Sequence, residues 1–253
     1  MTIPLQAGIV YGPVKSRRLG RSLGVNILPD ARKVCNFNCP YCQYGWTPAD
    51  ADGRSVPEES WPLAEAIADA VETALIRDAS VDRITLAGNG EPTLHPDFGA
   101  VVERLRAVRD RRARHARLAI LSNAATIGDP EIAAALLRID ERYMKLDAGD
   151  QATLRALNGS TVPIPRIVEG LARLRGVILQ SMFTRDADGK IDNTKSASLD
   201  SWLDAVGRVE PTAVHVYTID RTPAWKPLQA VPRAELEAIA ERVRALGISA
   251  LVF

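Results

Sequence analysis

Short runs of β-branched and apolar residues alternate with longer segments of helical periodicity along most of this chain. Strands are predicted at 22–28, 81–87, 117–122, 142–146, 176–183 and 212–219, with a seventh at 248–253. Helices are predicted at 61–77, 97–111, from Pro130, and at 151–157, 164–175, 199–209 and 232–246. This alternation predicts parallel strands with right-handed crossovers. We therefore expect an α/β fold, a partial or complete (β/α) barrel, with an open doubly wound sheet as the alternative.

The helical periodicity also predicts which side chains face the core. Residues 97–111 place Phe98, Val101, Val102, Leu105 and Val108 on one face. The corresponding residues of 61–77 are Leu63, Ile67, Ala70, Val71, Ala74 and Leu75, and those of 232–246 are Leu236, Ile239, Val243 and Leu246. Residues 47–60 and 185–195 are polar and rich in turn formers, so they are predicted to be loops.

Length and charge narrow the class of protein. With 253 residues, the chain suits one domain, which we divide into a basic N-terminal segment, 1–21, and a barrel, 22–253. The net charge of +1 gives no global attraction to nucleic acid or membrane. The N-terminus lacks the basic and apolar regions of a signal peptide, and no apolar run approaches the roughly 20 residues of a membrane span. We expect a cytoplasmic protein that does not bind membranes.

The candidate chemistry is concentrated in three cysteines with the spacing C-x3-C-x2-C, Cys35, Cys39 and Cys42. Their odd number and close spacing indicate reduced thiols and not disulfides. Three neighbouring thiolates can bind three corners of an iron–sulfur cubane and leave one iron without a protein ligand. The alternatives are structural zinc, for which a fourth ligand is missing nearby, and ordinary core cysteines.

The cysteine pattern, with the aromatic Tyr41 before the third cysteine, resembles that of the radical S-adenosylmethionine (radical SAM) superfamily. The resemblance implies a TIM-like barrel, a 4Fe–4S cluster and SAM as cofactors, with Tyr41 near the adenine. It further implies that the reduced cluster cleaves SAM and that the resulting 5′-deoxyadenosyl radical abstracts hydrogen from an unidentified substrate. Flavodoxin or ferredoxin is the implied electron donor.

A barrel model predicts functional groups at the carboxyl ends of strands. Gly88, Asn89, Gly90 and Glu91 follow the strand at 81–87. Glycines allow a close backbone approach to a ligand, and the Glu91 carboxylate is suited to accept hydrogen bonds from an ammonium group. The segment resembles the GGE-type motif that binds the SAM amino group, although Asn89 replaces the second glycine. A plain tight turn is the alternative.

Two further strand ends carry candidate SAM contacts. Ser122 and Asn123 could bind the ribose hydroxyls or the carboxylate of SAM, as in the family, or else cap a helix. Lys145 and Asp147 are two residues apart and should share one strand face. They are expected either to contact SAM or the substrate or to form a structural ion pair.

Candidate substrate contacts lie in the basic segment, at Arg17, Arg18 and Arg21, and after the strand at 212–219, at Asp220 and Arg221. Arginine suits phosphate or carboxylate recognition, and a solvated cationic face is the alternative. The stretch from residue 12 through the cysteines resembles an uncharacterised bacterial and archaeal branch of radical SAM proteins, distantly similar to wyosine-synthesising tRNA-modifying enzymes. Those enzymes bind a second cluster, for which this chain has no cysteines.

Functions of three different classes therefore remain open. The first is a radical SAM enzyme, an oxidoreductase-type catalyst whose substrate is a nucleotide or RNA, a small molecule or a peptide. The second is an iron–sulfur electron carrier or redox sensor without SAM chemistry. A zinc-binding interaction module is a third class, which metal analysis would distinguish.

Overall fold

The computed structural model describes residues 2–49 and 56–253, and eight strands in this part of the chain form one mostly parallel sheet. In sheet order they are β1 (Val10–Ser16), β2 (Gly20–Val25), β3 (Arg83–Leu86), β4 (Arg117–Ser122), β5 (Glu141–Lys145), β6 (Val177–Met182), β8 (Ala213–Tyr217) and β10 (Ser249–Val252). Strands β7 (Thr184–Asp186) and β9 (Leu228–Ala230) form a separate antiparallel pair. In the large sheet, only β1 and β2 are antiparallel to each other.

Seven α-helices are described between the strands. They are α1 (Ala64–Arg77), α2 (Phe98–Arg112), α3 (Pro130–Leu136), α4 (Gln151–Asn158), α5 (Ile164–Leu174), α6 (Ser196–Val209) and α7 (Arg233–Arg244). Their apolar faces bury the main core against the sheet, and all five residues predicted for the inner face of α2 are buried. The burial of apolar area in this layer is the main stabilising contribution to the fold.

Side-chain contacts between strands that are not neighbours show that the sheet is curved. The Arg83 guanidinium on β3 lies 2.5 Å from the Glu141 carboxylate on β5, across β4. The Lys145 ammonium on β5 donates to the Tyr217 hydroxyl on β8, across β6, at 3.0 Å. Such contacts require the strands to wrap around a common interior. The expected fold class is therefore confirmed as a partial (β/α) barrel, with β1 and β10 at the two ends of the strand order.

The structure corrects several local predictions. The basic segment contributes an unpredicted strand, β1, whose residues are mostly exposed and so show no hydrophobic alternation. Residues 184–186, at the start of a predicted loop, form β7 because β9 supplies a partner from a distant part of the chain. In the other predicted loop, residues 58–60 form a 3-10 helix, and residues 50–55 lie outside the described residues. Leu63 and Leu246 flank their helices and are exposed, not buried.

Candidate functional site

The cysteine loop follows the carboxyl end of β2 and lies against the loop that follows β3. Cys35, Cys39 and Cys42 are free thiols, and a turn brings the Cys42 amide to the Cys39 carbonyl at 3.0 Å. Within residues 2–49 and 56–253, no three His, Cys, Asp or Glu side chains converge as the ligands of one metal ion would. In a cubane each thiolate binds a different iron, so the donor set that fits a cluster is three free thiols in one loop.

Two asparagines donate to the sulfur atoms of this loop. The Asn123 amide lies 3.7 Å from the Cys35 sulfur, and the Asn158 amide lies 3.3 Å from the Cys39 sulfur. Asn123 follows β4 directly, whereas Asn158 is the last residue of α4. Hydrogen bonds to cysteine sulfur are a principal means by which proteins adjust the potential of iron–sulfur clusters.

The electrostatic environment of the thiols also fits a metal group. Burial, followed by the negative potential of Cys39 and Glu91, raises the pKa of Cys35 to about 12. Burial likewise raises the pKa of Cys39, and the nearby Lys145 only partly opposes this. Cluster ligands must be thiolates, so bound iron would supply the positive charge that these buried sulfurs otherwise lack.

Gly90 allows the cysteine loop to pack against the loop that follows β3. The backbone of Val34 pairs with the 88–91 loop on both sides of this glycine: the Val34 amide donates to Asn89 at 2.9 Å and its carbonyl accepts from Glu91 at 2.9 Å. A Cβ atom at Gly90 would collide with the Val34 carbonyl oxygen. The glycine therefore allows the two loops to meet, as expected for a close backbone approach.

The side chain of Asn89 supports the N-terminal segment. It is fully buried, accepts a hydrogen bond from the Gln6 amide at 2.8 Å and donates to the carbonyls of Gln6 and Pro29 at 3.0 Å each. The Asn26 side chain packs against Gly88, where a Cβ atom would overlap it. Asn89 and Gly88 thus hold together the loops after β2 and β3, and the Asn89 side chain is already fully hydrogen-bonded.

The Glu91 carboxylate joins the ends of β3 and β4. It accepts hydrogen bonds from the Thr93 amide and hydroxyl, at 3.1 and 2.6 Å, from the Ser122 hydroxyl at 2.8 Å and from the Asn123 amide at 2.6 Å. Burial raises the pKa of Glu91, and these four donors oppose the shift. The carboxylate therefore positions Asn123 beside Cys35, a role that the sequence did not indicate.

Lys145 and Asp147 form a buried ion pair beside the cysteine loop. The Lys145 ammonium lies 3.5 Å from the Asp147 carboxylate, which also accepts from Tyr41, from Asn158 at 2.8 Å and from the Met182 amide at 2.8 Å. Burial is the largest single effect and lowers the pKa of Lys145, but Asp147, Tyr217 and Cys39 together outweigh it, so the net pKa is raised. Lys145 is therefore a fixed cation, 5.0 Å from the centre of the Tyr41 ring.

The five candidate substrate residues do not form one site. Arg21, at the start of β2, pairs with Asp78 at the opposite end of the sheet from the cysteine loop. Arg17 pairs with Asp220 at 2.7 Å, and both side chains are about two-thirds exposed. Arg221 donates to Gln43 of the cysteine loop.

Arg18, the remaining candidate, points into the barrel. Its guanidinium donates to the Gln180 side chain at 2.6 Å and lies 4.4 Å above the centre of the Tyr217 ring.

Asn158 is the site residue that sequence reasoning missed. It ends a helix instead of following a strand, so the rule of functional strand ends could not locate it.

A family comparison agrees with this geometry. The model of the radical SAM superfamily matches residues 33–184, which is more than half of the chain and includes all three cysteines. The chain belongs to the radical SAM superfamily. Radical SAM proteins are enzymes that use a 4Fe–4S cluster and SAM. Membership therefore implies that this protein is an enzyme.

Sequence relatives of this radical SAM protein are longer than the chain. A UPF0026 protein of Helicobacter pylori is 29% identical over 223 residues, which cover 86% of this chain and 68% of the relative. A protein of Brachyspira hyodysenteriae named GTPase Obg is 28% identical over 230 residues, 90% of this chain but only 32% of that protein. The GTPase P-loop sequence G-x4-G-K-[ST] does not occur here.

Solved structures show the same fold at low sequence identity. A radical SAM methyltransferase from Sphaerobacter thermophilus has a TM-score of 0.65 at 16% identity, over 92% of this chain and 65% of that one. Archaeal TYW1, of wyosine synthesis, has a TM-score of 0.51 at 11% identity, over 89% of this chain and 72% of that one. In the described residues, no helix is long and apolar enough to cross a membrane.

Proposed function

We propose that this protein binds a 4Fe–4S cluster through Cys35, Cys39 and Cys42 and uses it to cleave SAM reductively. The observation that carries the proposal is the cysteine loop at the carboxyl end of β2, whose three free thiols lie beside the amide donors of Asn123 and Asn158. When bound, the cluster would supply one electron to the sulfonium of a SAM molecule held at the iron without a protein ligand. The whole chain, 1–253, would form the catalytic domain.

The side chains around the loop would position the cluster and SAM. Glu91 holds the ends of β3 and β4 together, so that Asn123 reaches Cys35 and the backbone of residues 88–91 stays against the cysteine loop. Because its carboxylate already accepts four protein hydrogen bonds, we assign Glu91 a positioning role. Ser122 would act with Glu91, to which it donates directly.

Tyr41 and Lys145 would form the opposite wall of the SAM site. Asp147 and Asn158 both bind the Tyr41 hydroxyl, the latter at 2.7 Å, which fixes the ring next to the third cysteine. The ion pair with Asp147 keeps Lys145 charged and in place, so a carboxylate of SAM has a fixed cation to bind.

The electron must come from a reducing partner, for which a flavodoxin or ferredoxin is suited. Hydrogen abstraction by the 5′-deoxyadenosyl radical would make the enzyme an oxidoreductase-type catalyst. Three free cysteines and an oxygen-sensitive cluster suit the reducing cytoplasm.

Anaerobic reconstitution with iron and sulfide tests the proposal. We expect about four irons per chain and, after addition of SAM and dithionite, release of 5′-deoxyadenosine. Replacing any one of the three cysteines with alanine should abolish both results, whereas the exposed Glu131→Gln variant should retain them. A loaded, reduced cluster that leaves SAM intact would instead indicate an electron carrier, and tetrahedral zinc would indicate a binding module.

A further inference from the structure

The turn between β1 and β2 carries Arg18 onto the concave side of the sheet. Leu19, the next residue, packs against Ala119 and Tyr143 inside the curve. The Arg18 guanidinium reaches Gln180 on β6 and the Tyr217 ring on β8. An arginine from an otherwise exposed basic segment thus points into the partial barrel.

The cations that face this interior differ in whether a carboxylate pairs with them. Arg83 and Glu141 form a two-point ion pair, with contacts of 2.5 and 3.0 Å, and Lys145 is paired with Asp147. For Arg18, no carboxylate of the described residues lies within ion-pair distance, and only one of its N–H groups has a protein acceptor there. Its partner Gln180 is an uncharged amide, and its contact with Tyr217 is through the face of the aromatic ring.

His215, which lies beside Gln180, adds no further positive charge because its ring is kept neutral. Its ring is 3.4 Å from the Gln180 amide. Burial, followed by the positive charges of Arg18 and Arg83, lowers the pKa of His215 to about 4. Arg18 is therefore the inward-facing cation without a carboxylate partner among the described residues, whereas Arg83 and Lys145 each have one.

We propose that Arg18 binds the carboxylate or phosphate group of a second ligand, the substrate, inside the partial barrel; this inference rests on the proposed SAM chemistry. A guanidinium offers five N–H donors in a planar fork that fits both anions, and a partly buried charge is stabilised when an anion pairs with it. Arg18 is only half-buried, and Tyr217 and Lys145 beside it are also partly exposed. A ligand that enters from the cysteine-loop side would meet Lys145 and Tyr217 before it reaches Arg18.

The neighbouring arginines do not offer the same site. Arg17 is engaged by Asp220 on the surface, and Arg21 by Asp78 at the far end of the sheet. The basic segment therefore presents one inward cation and not a continuous cationic surface. This arrangement selects a ligand with a discrete anionic group and gives a nucleic-acid backbone no row of free cations to follow.

Isothermal titration of the anaerobically reconstituted enzyme tests the inference, with malonate and inorganic phosphate as probes and with SAM present at saturation. We expect at least one probe to bind, and Arg18→Gln to weaken it about tenfold or more, as expected for loss of one charge-assisted pair. Arg18→Lys should keep part of the affinity. Lys15→Gln, which removes an exposed cation from the same hairpin, should leave the affinity unchanged.

A second variant approaches the site from its other side. Gln180→Glu would place a carboxylate against the Arg18 guanidinium and should weaken probe binding with Arg18 intact, even if Arg18→Gln fails to fold. If the wild-type enzyme binds neither malonate nor phosphate, the inference is wrong.

SAM affinity, measured for each variant, identifies the source of the anion. If Arg18→Gln weakens SAM and not the probes, the anion is the carboxylate of SAM itself and the inference is wrong. If SAM is never cleaved but probe binding still requires Arg18, the anion site stands and the proposed reaction fails.

Discussion

Asn158 connects the cysteine loop with the barrel interior through a single amide group. Its nitrogen lies 3.3 Å from the Cys39 sulfur, 2.7 Å from the Tyr41 hydroxyl and 2.8 Å from the Asp147 carboxylate. The amide nitrogen has two hydrogens for these three acceptors. The Tyr41 hydroxyl donates to Asp147 itself, so the two amide hydrogens can serve Cys39 and Tyr41. One residue thereby orients Cys39, a proposed cluster ligand, and Tyr41.

Replacing Asn158 with alanine should lower the midpoint potential of the reconstituted cluster, because the lost N–H group stabilises the more negative, reduced state. Stability should fall by about 1–3 kcal/mol, since buried acceptors lose a donor. Spectroelectrochemistry and urea unfolding measure the two effects. Gln151→Ala, on the same helix but bonded to Val162 and Ile164, should change stability without changing the potential. Equal potentials in all three proteins would refute a role for Asn158 at the cluster.

His215 should make stability depend on pH in the acidic range. Its pKa is lowered from 6.5 to about 4, mainly by burial, so the unfolded chain binds this proton at a higher pH than the folded chain does. The folded state is therefore favoured fully above pH 6.5, and this contribution is lost as the pH falls from 6.5 to 4. We expect a loss of about 1–2 kcal/mol between pH 7 and pH 5.

Urea unfolding of His215→Gln at pH 7 and pH 5 checks this expectation. The variant should lose less stability than the wild type over that interval, whereas a His115→Gln variant, at an exposed position, should behave like the wild type. An unchanged pH dependence in His215→Gln would show that other groups cause it.

At the scale of elements, the carboxyl end of α4 determines where the cysteine loop lies. Gly159 ends the helix in the left-handed region, at a φ of 58°, and a Cβ atom there would lie 2.9 Å from the Asn38 carbonyl oxygen. The Asn38 amide in turn donates to the Asn158 carbonyl at 2.8 Å. Helix end and loop thus meet backbone to backbone, which only glycine permits.

Gly159→Ala should destabilise the protein by about 1–2 kcal/mol and reduce iron loading, because both the backbone conformation and the contact with the loop are disturbed. The matched control is Gly207→Ala within α6, where a Cβ atom meets nothing within 4 Å. That change should stabilise by about 0.5–1 kcal/mol through helix propensity and leave loading intact. Chemical denaturation and iron analysis of both variants decide the matter; a neutral Gly159→Ala would contradict the proposed contact.

The elements also show where periodicity is informative and where it is not. Helix α2 was predicted within one residue at each end because its five buried apolar residues recur at helical spacing. Strand β1 was missed because it is an edge strand with mostly exposed side chains, and β7 because its three residues carry too short a pattern. Leu63 and Leu246 failed as core residues because the helices begin after one and end before the other.

At the scale of the whole molecule, cluster loading should be coupled to folding. The three ligands come from one loop, but that loop is held by the ends of β3, β4 and α4, so the cluster would bind the folded chain alone. Anaerobic reconstitution should raise the thermal midpoint by about 5–10 °C, for a site filled to roughly a hundred times its dissociation constant. A Cys39→Ser chain treated in the same way should show no such rise. An equal rise in both chains would mean that the iron binds elsewhere.

The sequence by itself determined the features that depend on local spacing. The alternation of strands and helices predicted an α/β fold, a partial or complete barrel with an open doubly wound sheet as the alternative, and three closely spaced cysteines with the aromatic Tyr41 before the third indicated the superfamily. Both signals are short-range: periodicity reports which face of an element is buried, and ligand spacing reports what one loop can bind.

Only the tertiary structure decided how distant residues share the site. It turned Arg18 inward while Arg17 and Arg21 found carboxylate partners, and it placed Asn158 at a cysteine more than one hundred residues earlier in the chain. It also showed that the Glu91 carboxylate is satisfied by protein donors. These outcomes depend on the curvature of the sheet and on which polar groups meet once water is excluded, and no local pattern records either.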